Sequence, residues 1–462
     1  MDTSYSDDET CENSTESEES ELQFDEDELL ELEENILEHI NDYTQTHLLH
    51  YASPNFASDL IKYVTQLVYE DCVIYNICKH CDEDYAEIEQ IVKTQLDLYR
   101  TEISTIPLRQ RPNTVELPRV NVPDIQRRIE RLRTIPQPKQ RTPEWYESRY
   151  HMMTASNIYK ALGSEALRNS LIYEKCKPFV AVGSGSGSVN VDNAMHWGVK
   201  YEPVSKMLYE DIYYTTVEEF GCIPHQTYPF IGASPDGIVV DAQHERYGHM
   251  VEIKNIVNRE ITGIPKEEYW VQMQVQMETC DLDHCDFMET RVKEYASKDA
   301  AFADAGCEYR GVILYCLKKI SISDAMNGAA IDNSPHYVYM PLDIPFTPEA
   351  VEEWIRSSVS LALEEEDYVL YETLYWYLDE MSCVLVPRNR EWFRAAAPVF
   401  SSVWDTIQKE RVEGYEHRAT SKKKKVEVLG GATTESHTIL NMPAGQSLCL
   451  IKLDENGDVV TD

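Results

Sequence analysis

Within SPDGIVVDAQHERYGHMVEIKN, residues 234–255, three side chains suited to one reaction lie close in the chain: Asp236, Glu252 and Lys254. Asp236 sits in a Pro-Asp-Gly turn. Glu252-Ile253-Lys254 reads as part of a strand, in which alternate side chains share a face. Glu252 and Lys254 therefore point one way, while Val251 and Ile253 point the other, into apolar packing. The turn brings Asp236, at the head of the preceding strand, beside them. Two shielded carboxylates repel each other, and a hard divalent cation relieves the repulsion. Mg²⁺ suits such a site, because it takes one or two carboxylates, keeps several waters and fills its shell with substrate phosphate. The Ile253 carbonyl offers a further oxygen. Lys254 would activate an attacking water or steady charge building on phosphorus. Taken singly, Glu-x-Lys is a common surface ion pair and Pro-Asp-Gly a common turn. Their combination, each in its expected context, carries the signal.

The elements that must position these groups follow from local pattern. HQTYPFIGAS, GIVVD and HMVEIKNIV read as three strands, and KEEYWVQMQVQMETC as a helix. CDFMETRV, YRGVILYCLKK and HYVYMPL read as further strands. WGVKYEPVSKMLYEDIYY reads as a helix with Pro203 in its first turn. Strands alternating with helices predict an α/β core, a mixed central sheet flanked by helices. That core spans residues 143–345, interrupted by a flexible GSGSGS loop at 183–188. Residues 1–27 are acidic and Ser/Thr-rich, the signature of a disordered tail. Residues 28–100 form a helical N-terminal region, with helices expected at 28–50 and 57–100. Leu60, Val64, Leu67 and Val68 stand at helical spacing there. Residues 101–142 hold six prolines and read as a basic linker, with a short helix at 124–133. Residues 346–415 read as a helical, aromatic-rich C-terminal region, its Tyr and Trp most simply core. Residues 416–462 read as a basic flexible tail with a terminal hairpin at 436–453.

The chain has 462 residues, 42% of them hydrophobic, enough for a sizeable core. No run reaches the roughly 18 apolar residues of a membrane span. The N-terminus has neither a basic nor an apolar leader region, and the twelve cysteines are scattered. These features predict an intracellular protein with reduced thiols and no membrane partner. The net charge of −39 argues at first against nucleic acid, but residues 1–40 alone hold 17 acidic residues and no Lys or Arg. Between Arg109 and Arg141 the sign reverses. Solubility and a linker explain both blocks; the sharper reading is that the basic stretch approaches phosphates.

The order Pro235-Asp236, then Glu252-Ile253-Lys254, resembles the PD-(D/E)XK nuclease motif. The wider context resembles the YqaJ-like viral recombinase group, which includes lambda exonuclease and is related to herpesvirus alkaline nucleases. The matching residues are Trp145 and Arg149, Thr154-Ala155-Ser156, Gly198 and Glu202, Gly232 through Gly237, Val251 through Lys254, and Tyr269 with Gln272-Met273-Gln274. The aromatic YETLYWYLDEM and VLVPRNREWF stretches look like the versions from nucleocytoplasmic large DNA viruses. The resemblance covers roughly residues 143–320 and does not extend to residues 1–135.

The resemblance implies a PD-(D/E)XK core and a Mg²⁺-dependent deoxyribonuclease, with Mn²⁺ as substitute. It would resect double-stranded DNA 5′→3′ in viral recombination, repair or genome processing. Asp236, Glu252, the Ile253 carbonyl and Glu202 would hold metal, and Lys254 would act at the attacking water. Gln272 would help position the nucleophile or Lys254. Arg149 and Ser156 would hold the 5′-phosphate of the resected end, with Gln274 also on DNA. Gln274 is turned away from Gln272 by two helical steps. Arg149 otherwise reads as a surface ion-pair partner, and Ser156 as an N-cap for NIYKALG. Implied partners are double-stranded DNA ends and a single-strand-annealing or single-strand-binding protein. The oligomeric state stays open between trimeric ring and monomer, and the compartment between host cytoplasm, at a virus factory, and nucleus. Two rivals stand beside the exonuclease. One is an alkaline-nuclease-like endonuclease or RNA-degrading nuclease. The other is a non-catalytic DNA-end-binding scaffold, which would not need all of Asp236, Glu252 and Lys254.

Other motifs weigh less. CKHC at 78–81, with Cys72 upstream, has zinc-like spacing, but four ligands are needed and no second pair follows. Cys280, Cys285, Cys307 and Cys316 are too loosely spaced to read as an iron–sulfur set. SKKKK at 421–425 reads as a solvated loop before it reads as a nuclear-localisation signal or phosphate patch.

Overall fold

The computed structural model describes residues 24–106, 108–109, 121–179, 194–319, 335–365 and 368–419. All belong to the compact unit Met1–Ala419. Residues 1–23 of the acidic tail, the GSGSGS loop, the SKKKK run and the terminal hairpin lie outside them.

Three helices build the N-terminal region: Glu26–Thr46, Phe56–Ile74 and Asp82–Leu98. Asp25 caps the first reciprocally with Glu28, which satisfies two otherwise orphaned backbone donors. Ile36, Ile40, Leu60, Val64, Ile88 and Val92 are fully buried between the helices, spaced three or four apart as an apolar stripe requires. The helix expected over 57–100 is therefore two. The chain turns at Asn76, in the left-handed region at φ 59°, and Ile77 and Cys78 both donate to the Cys72 carbonyl.

The helix expected at 124–133 is Val122–Thr134, capped by Asn121. Ile125, Ile129 and Leu132 bury its inner stripe in the main core. The basic stretch around it is not a row of free cations. Arg109 donates to the Pro265 carbonyl, Arg128 to Asp283 at 3.0 Å, Arg131 to the Cys280 carbonyl and Arg133 to Glu218. These side chains fasten the segment to the core, which corrects the reading of 101–142 as a plain linker.

Seven strands form the central sheet, in the order β2 (Val217–Glu218), β5 (Gly237–Val239), β6 (Met250–Asn255), β7 (His284–Glu294), β10 (Tyr368–Pro387), β8 (Arg310–Lys318), β9 (His336–Tyr339). β6 and β7 are parallel, and every other neighbouring pair is antiparallel. A smaller sheet orders β1 (Met153–Thr154), β4 (Ile231–Ala233) and β3 (Ile223–Pro224). The architecture is the expected mixed α/β one. No helix among the described residues is long and apolar enough to cross a membrane.

The parallel pair β6–β7 needs a crossover, and the helix Glu267–Cys280 supplies it. Trp270 through Met277 are all buried, as expected of a helix enclosed on every side. The helix Ala194–Ile212 covers the opposite face, packing Tyr201, Val204, Leu208 and Tyr209 on Val251 and Ile253. Pro203 lies well inside this helix rather than in its first turn, so one backbone hydrogen bond is missing beside Glu202.

The largest departure concerns 346–415, expected to be a helical region. Two helices, Pro348–Glu365 and Arg390–Glu413, flank the 20-residue strand β10. YVLYETLYWYL is rich in aromatic and branched residues, which fit a pleated, half-buried surface. β10 inserts between β7 and β8, with irregularities at Leu370/Glu372 and Leu378/Glu380. Trp376 is fully buried opposite Gly311, where an added Cβ would meet its ring at 2.8 Å.

Candidate active site

The hairpin β5–β6 presents the predicted trio. Gly237 follows Asp236 because β2 packs against the turn: a Cβ there would lie 2.0 Å from Val217 Cγ1. Asp236 Oδ2 accepts a hydrogen bond from the Ile253 amide at 2.7 Å, so the turn is clamped to β6 one residue from both Glu252 and Lys254.

Glu252 is fully buried. Its Oε1 accepts from Gln272 Nε2 at 2.6 Å and from the Lys254 ammonium, and its Oε2 accepts from Gln276 Nε2 at 2.8 Å. Lys254 lies over the Tyr269 ring, 5.0 Å from its centre. Burial would lower the Lys254 pKa, but the charges of Glu252 and Asp236 outweigh it and hold the ammonium above the usual lysine range. Asp236 shows the reverse balance. Burial, then the charges of Glu252 and Glu202, push its carboxyl well above the ordinary aspartate range.

Glu202 projects from the helix Ala194–Ile212 toward the same centre. Burial raises its pKa, Arg141 opposes the rise, and Glu252 adds to it. Arg141 holds Glu202 Oε2 at 2.7 Å. No three His, Cys, Asp or Glu side chains among the described residues converge closely enough to hold a metal ion by themselves. Asp236 and Glu252, two crowded carboxylates whose mutual repulsion raises a pKa, fit a hard cation that finds its remaining oxygens in a backbone carbonyl, water and phosphate.

A second cluster adjoins the first. Arg149 stands in the last turn of the short helix Pro143–Tyr150 and lies 4.3 Å over the Trp145 ring. It donates to Ser156 Oγ at 3.0 Å, and among the described residues no carboxylate forms an ion pair with it. Ser156 is not the cap of its helix: Thr154 holds that position, with its amide bonded to Asn157. Trp145 Nε1 donates to Ser234 Oγ at 3.2 Å, two residues before Asp236. One side chain thus links the two clusters. Lys175 donates to the Arg149 carbonyl at 2.7 Å, and burial lowers its pKa to about 8.

Gln274 does not belong to the site. It is buried, donates to the Pro387 carbonyl at 3.0 Å and accepts from the Asn389 amide at 2.6 Å. It therefore pins the end of β10 to the following helix rather than contacting DNA. The residue that sequence reasoning missed is Gln276, one helical turn beyond Gln272 and so on the same face. Arg259, paired with the buried Glu289 that faces Lys254 from β7, was also missed.

Residues 144–283 match the model of the family described as YqaJ-like viral recombinase domain. "Uncharacterized protein R354" of Acanthamoeba polyphaga mimivirus is 27% identical over 308 residues, 61% of this chain and 54% of that protein. The chain thus spans about half the length of that relative. Among solved structures, an alkaline exonuclease (LHK-Exo) from Laribacter hongkongensis matches at 20% identity and a TM-score of 0.32. The match covers 58% of this chain and 94% of that one. LHK-Exo in complex with dAMP matches at 19% identity and a TM-score of 0.33, covering 60% and 97%.

Proposed function

We propose that this chain, whose residues 144–283 carry a YqaJ-like viral recombinase domain, is a metal-dependent deoxyribonuclease that resects double-stranded DNA from a 5′ end. The observation that carries the reading is the convergence of Asp236, Glu252 and Lys254 at one hairpin mouth, tied through Trp145 and Ser234 to Arg149 and Ser156.

Asp236, Glu252 and the Ile253 carbonyl would hold Mg²⁺ or Mn²⁺, with Glu202 joining them. The bound cation would supply a nucleophilic hydroxide at neutral pH and neutralise charge on the phosphate. The chain's own groups do the rest. Gln272 and Gln276 fix both oxygens of Glu252, so its carboxylate cannot rotate out of line. Lys254 is held protonated, which suits it to stabilise developing negative charge rather than to accept a proton. Arg149 and Ser156 would grip a terminal 5′-phosphate through a planar fork and a hydroxyl. A terminal phosphate held there sets the distance to the scissile bond.

The test is digestion of 5′-phosphorylated linear duplex, 5′-hydroxyl linear duplex and covalently closed circles in Mg²⁺. The 5′-phosphorylated linear substrate should be consumed fastest and closed circles spared. Arg149→Ala should erase the preference between the two linear substrates, and Asp236→Ala or Glu252→Ala should abolish cleavage. Substantial activity in both carboxylate variants would remove the proposed centre. Rapid cutting of closed circles would replace the exonuclease with an endonuclease.

A further inference from the structure

Arg141 stands in the left-handed backbone region at φ 67°, where non-glycine residues are uncommon. Its neighbours keep it there. Gln140 Nε2 donates to the Phe220 carbonyl at 3.0 Å and to the Pro235 carbonyl at 3.3 Å, and Gln137 Oε1 accepts from the Gly221 amide at 2.6 Å. The segment 137–141 is thus fixed to the same turn that presents Asp236. From this position the Arg141 guanidinium reaches Glu202, with 43% of the arginine side chain and 33% of the glutamate still open to solvent. Strained backbone at a chemical centre points to a function for the residue that bears it. The mechanism above gives Arg141 none.

Building on the nuclease reading, we propose that Arg141 is a second active-site cation that exchanges partners during the cycle. Without metal it pairs with Glu202 and offsets a charge that otherwise bears on Asp236 and Glu252. A divalent cation held by Asp236 and Glu252 would draw on the charge of Glu202, and the guanidinium would then be left without its partner and repelled. The scissile phosphate is then the anion nearest to hand, and guanidinium matches phosphate oxygens in pairs. Arg141 therefore competes with metal in the resting protein and binds substrate in the loaded one.

The two halves predict effects of opposite sign. Mn²⁺ binding is measured by calorimetry on the full chain without DNA, and kcat and KM on 5′-phosphorylated linear duplex at saturating Mn²⁺. Arg141→Ala should bind Mn²⁺ about two- to fivefold more tightly, the scale of a partly exposed ion pair. Its kcat/KM should fall roughly tenfold or more, the scale of a lost charge-assisted contact. Arg141→Lys should recover part of the loss, since it keeps the charge but not the fork. Arg141→Gly suits the left-handed backbone and should repeat the Ala result, which keeps the test valid if the Ala variant folds poorly. Weaker or unchanged Mn²⁺ affinity would make Arg141 a structural tether of Glu202 and overturn the exchange, as would unchanged kcat/KM. If the unmodified protein binds no Mn²⁺, or Asp236→Ala binds it equally well, the nuclease reading itself fails.

Discussion

Replacing Asp236 with Asn should make the metal-free protein more stable while removing its activity. In the folded state burial and the charges of Glu252 and Glu202 push the Asp236 carboxyl well above its ordinary range. A group with a raised folded pKa binds more protons folded than unfolded between the two values, so stability falls as pH rises through that window. By neutral pH the ordinary aspartate range has been passed, and the cost of a buried, repelled charge is felt. Asn removes the charge and keeps an oxygen to accept the 2.7 Å bond from the Ile253 amide. Relief of an uncompensated buried polar group is about 1–3 kcal/mol. A gain of about 2 kcal/mol corresponds to a rise of about 2–3 °C in Tm for a cooperative unit as large as Met1–Ala419. The assay is calorimetric unfolding in EDTA at pH 5 to 8, with and without Mg²⁺. In EDTA the unmodified protein should lose stability relative to Asp236→Asn as pH rises. Mg²⁺ should reverse the order, since binding to the folded state alone adds about 2.7 kcal/mol at a hundredfold excess over Kd. If Asp236→Asn is less stable than the unmodified protein in EDTA, the carboxylate is a structural hydrogen-bond acceptor and the electrostatic reasoning is wrong.

Three further outcomes are expected. Lys254→Ala should lower turnover by roughly 10² with little change in DNA affinity, checked by single-turnover kinetics and filter binding; near-normal turnover would make the lysine a structural partner of Glu252. Gln276→Met should lower kcat about tenfold with KM for DNA unchanged, because Glu252 Oε2 loses a charge-assisted bond of about 1.5–3 kcal/mol; an equal effect on KM would count against a role at the carboxylate alone. Trp376→Ala should cost about 3–5 kcal/mol in denaturant unfolding, the scale for emptying a large buried site, whereas a small loss would mean β10 is not packed as described.

The hairpin with its trio was legible because its signals are local. A Pro-Asp-Gly turn and a two-residue alternation declare both the bend and the face. Gln276 was equally within reach, since four residues beyond Gln272 is the next position on that face of a helix. The same arithmetic turns Gln274 away, and it is found bonded to Pro387 and Asn389 instead. Strand β10 was not legible, because an aromatic run can serve a helix or a strand, and its place is set by β7 and β8, far away in sequence. The basic stretch misled for a similar reason. Charge along a chain does not reveal its partners, and Arg128, Arg131 and Arg133 find theirs on the core itself.

The position of β10 imposes an order on biosynthesis. A ribosome delivers every proposed catalytic side chain by Gln276, yet the sheet that carries them is not complete until Pro387 has been made. At about 5–20 residues per second, the interval from the end of β7 to the end of β10 lasts roughly 5–20 s. Until β10 is made, first β7 and then β8 lacks a neighbour, an open edge that chaperones are suited to shield. A nascent chain stalled before Tyr368 therefore holds the reactive groups without the closed scaffold that aligns them. Translation of residues 295–387 thus separates delivery of the proposed catalytic groups from completion of the sheet that holds them.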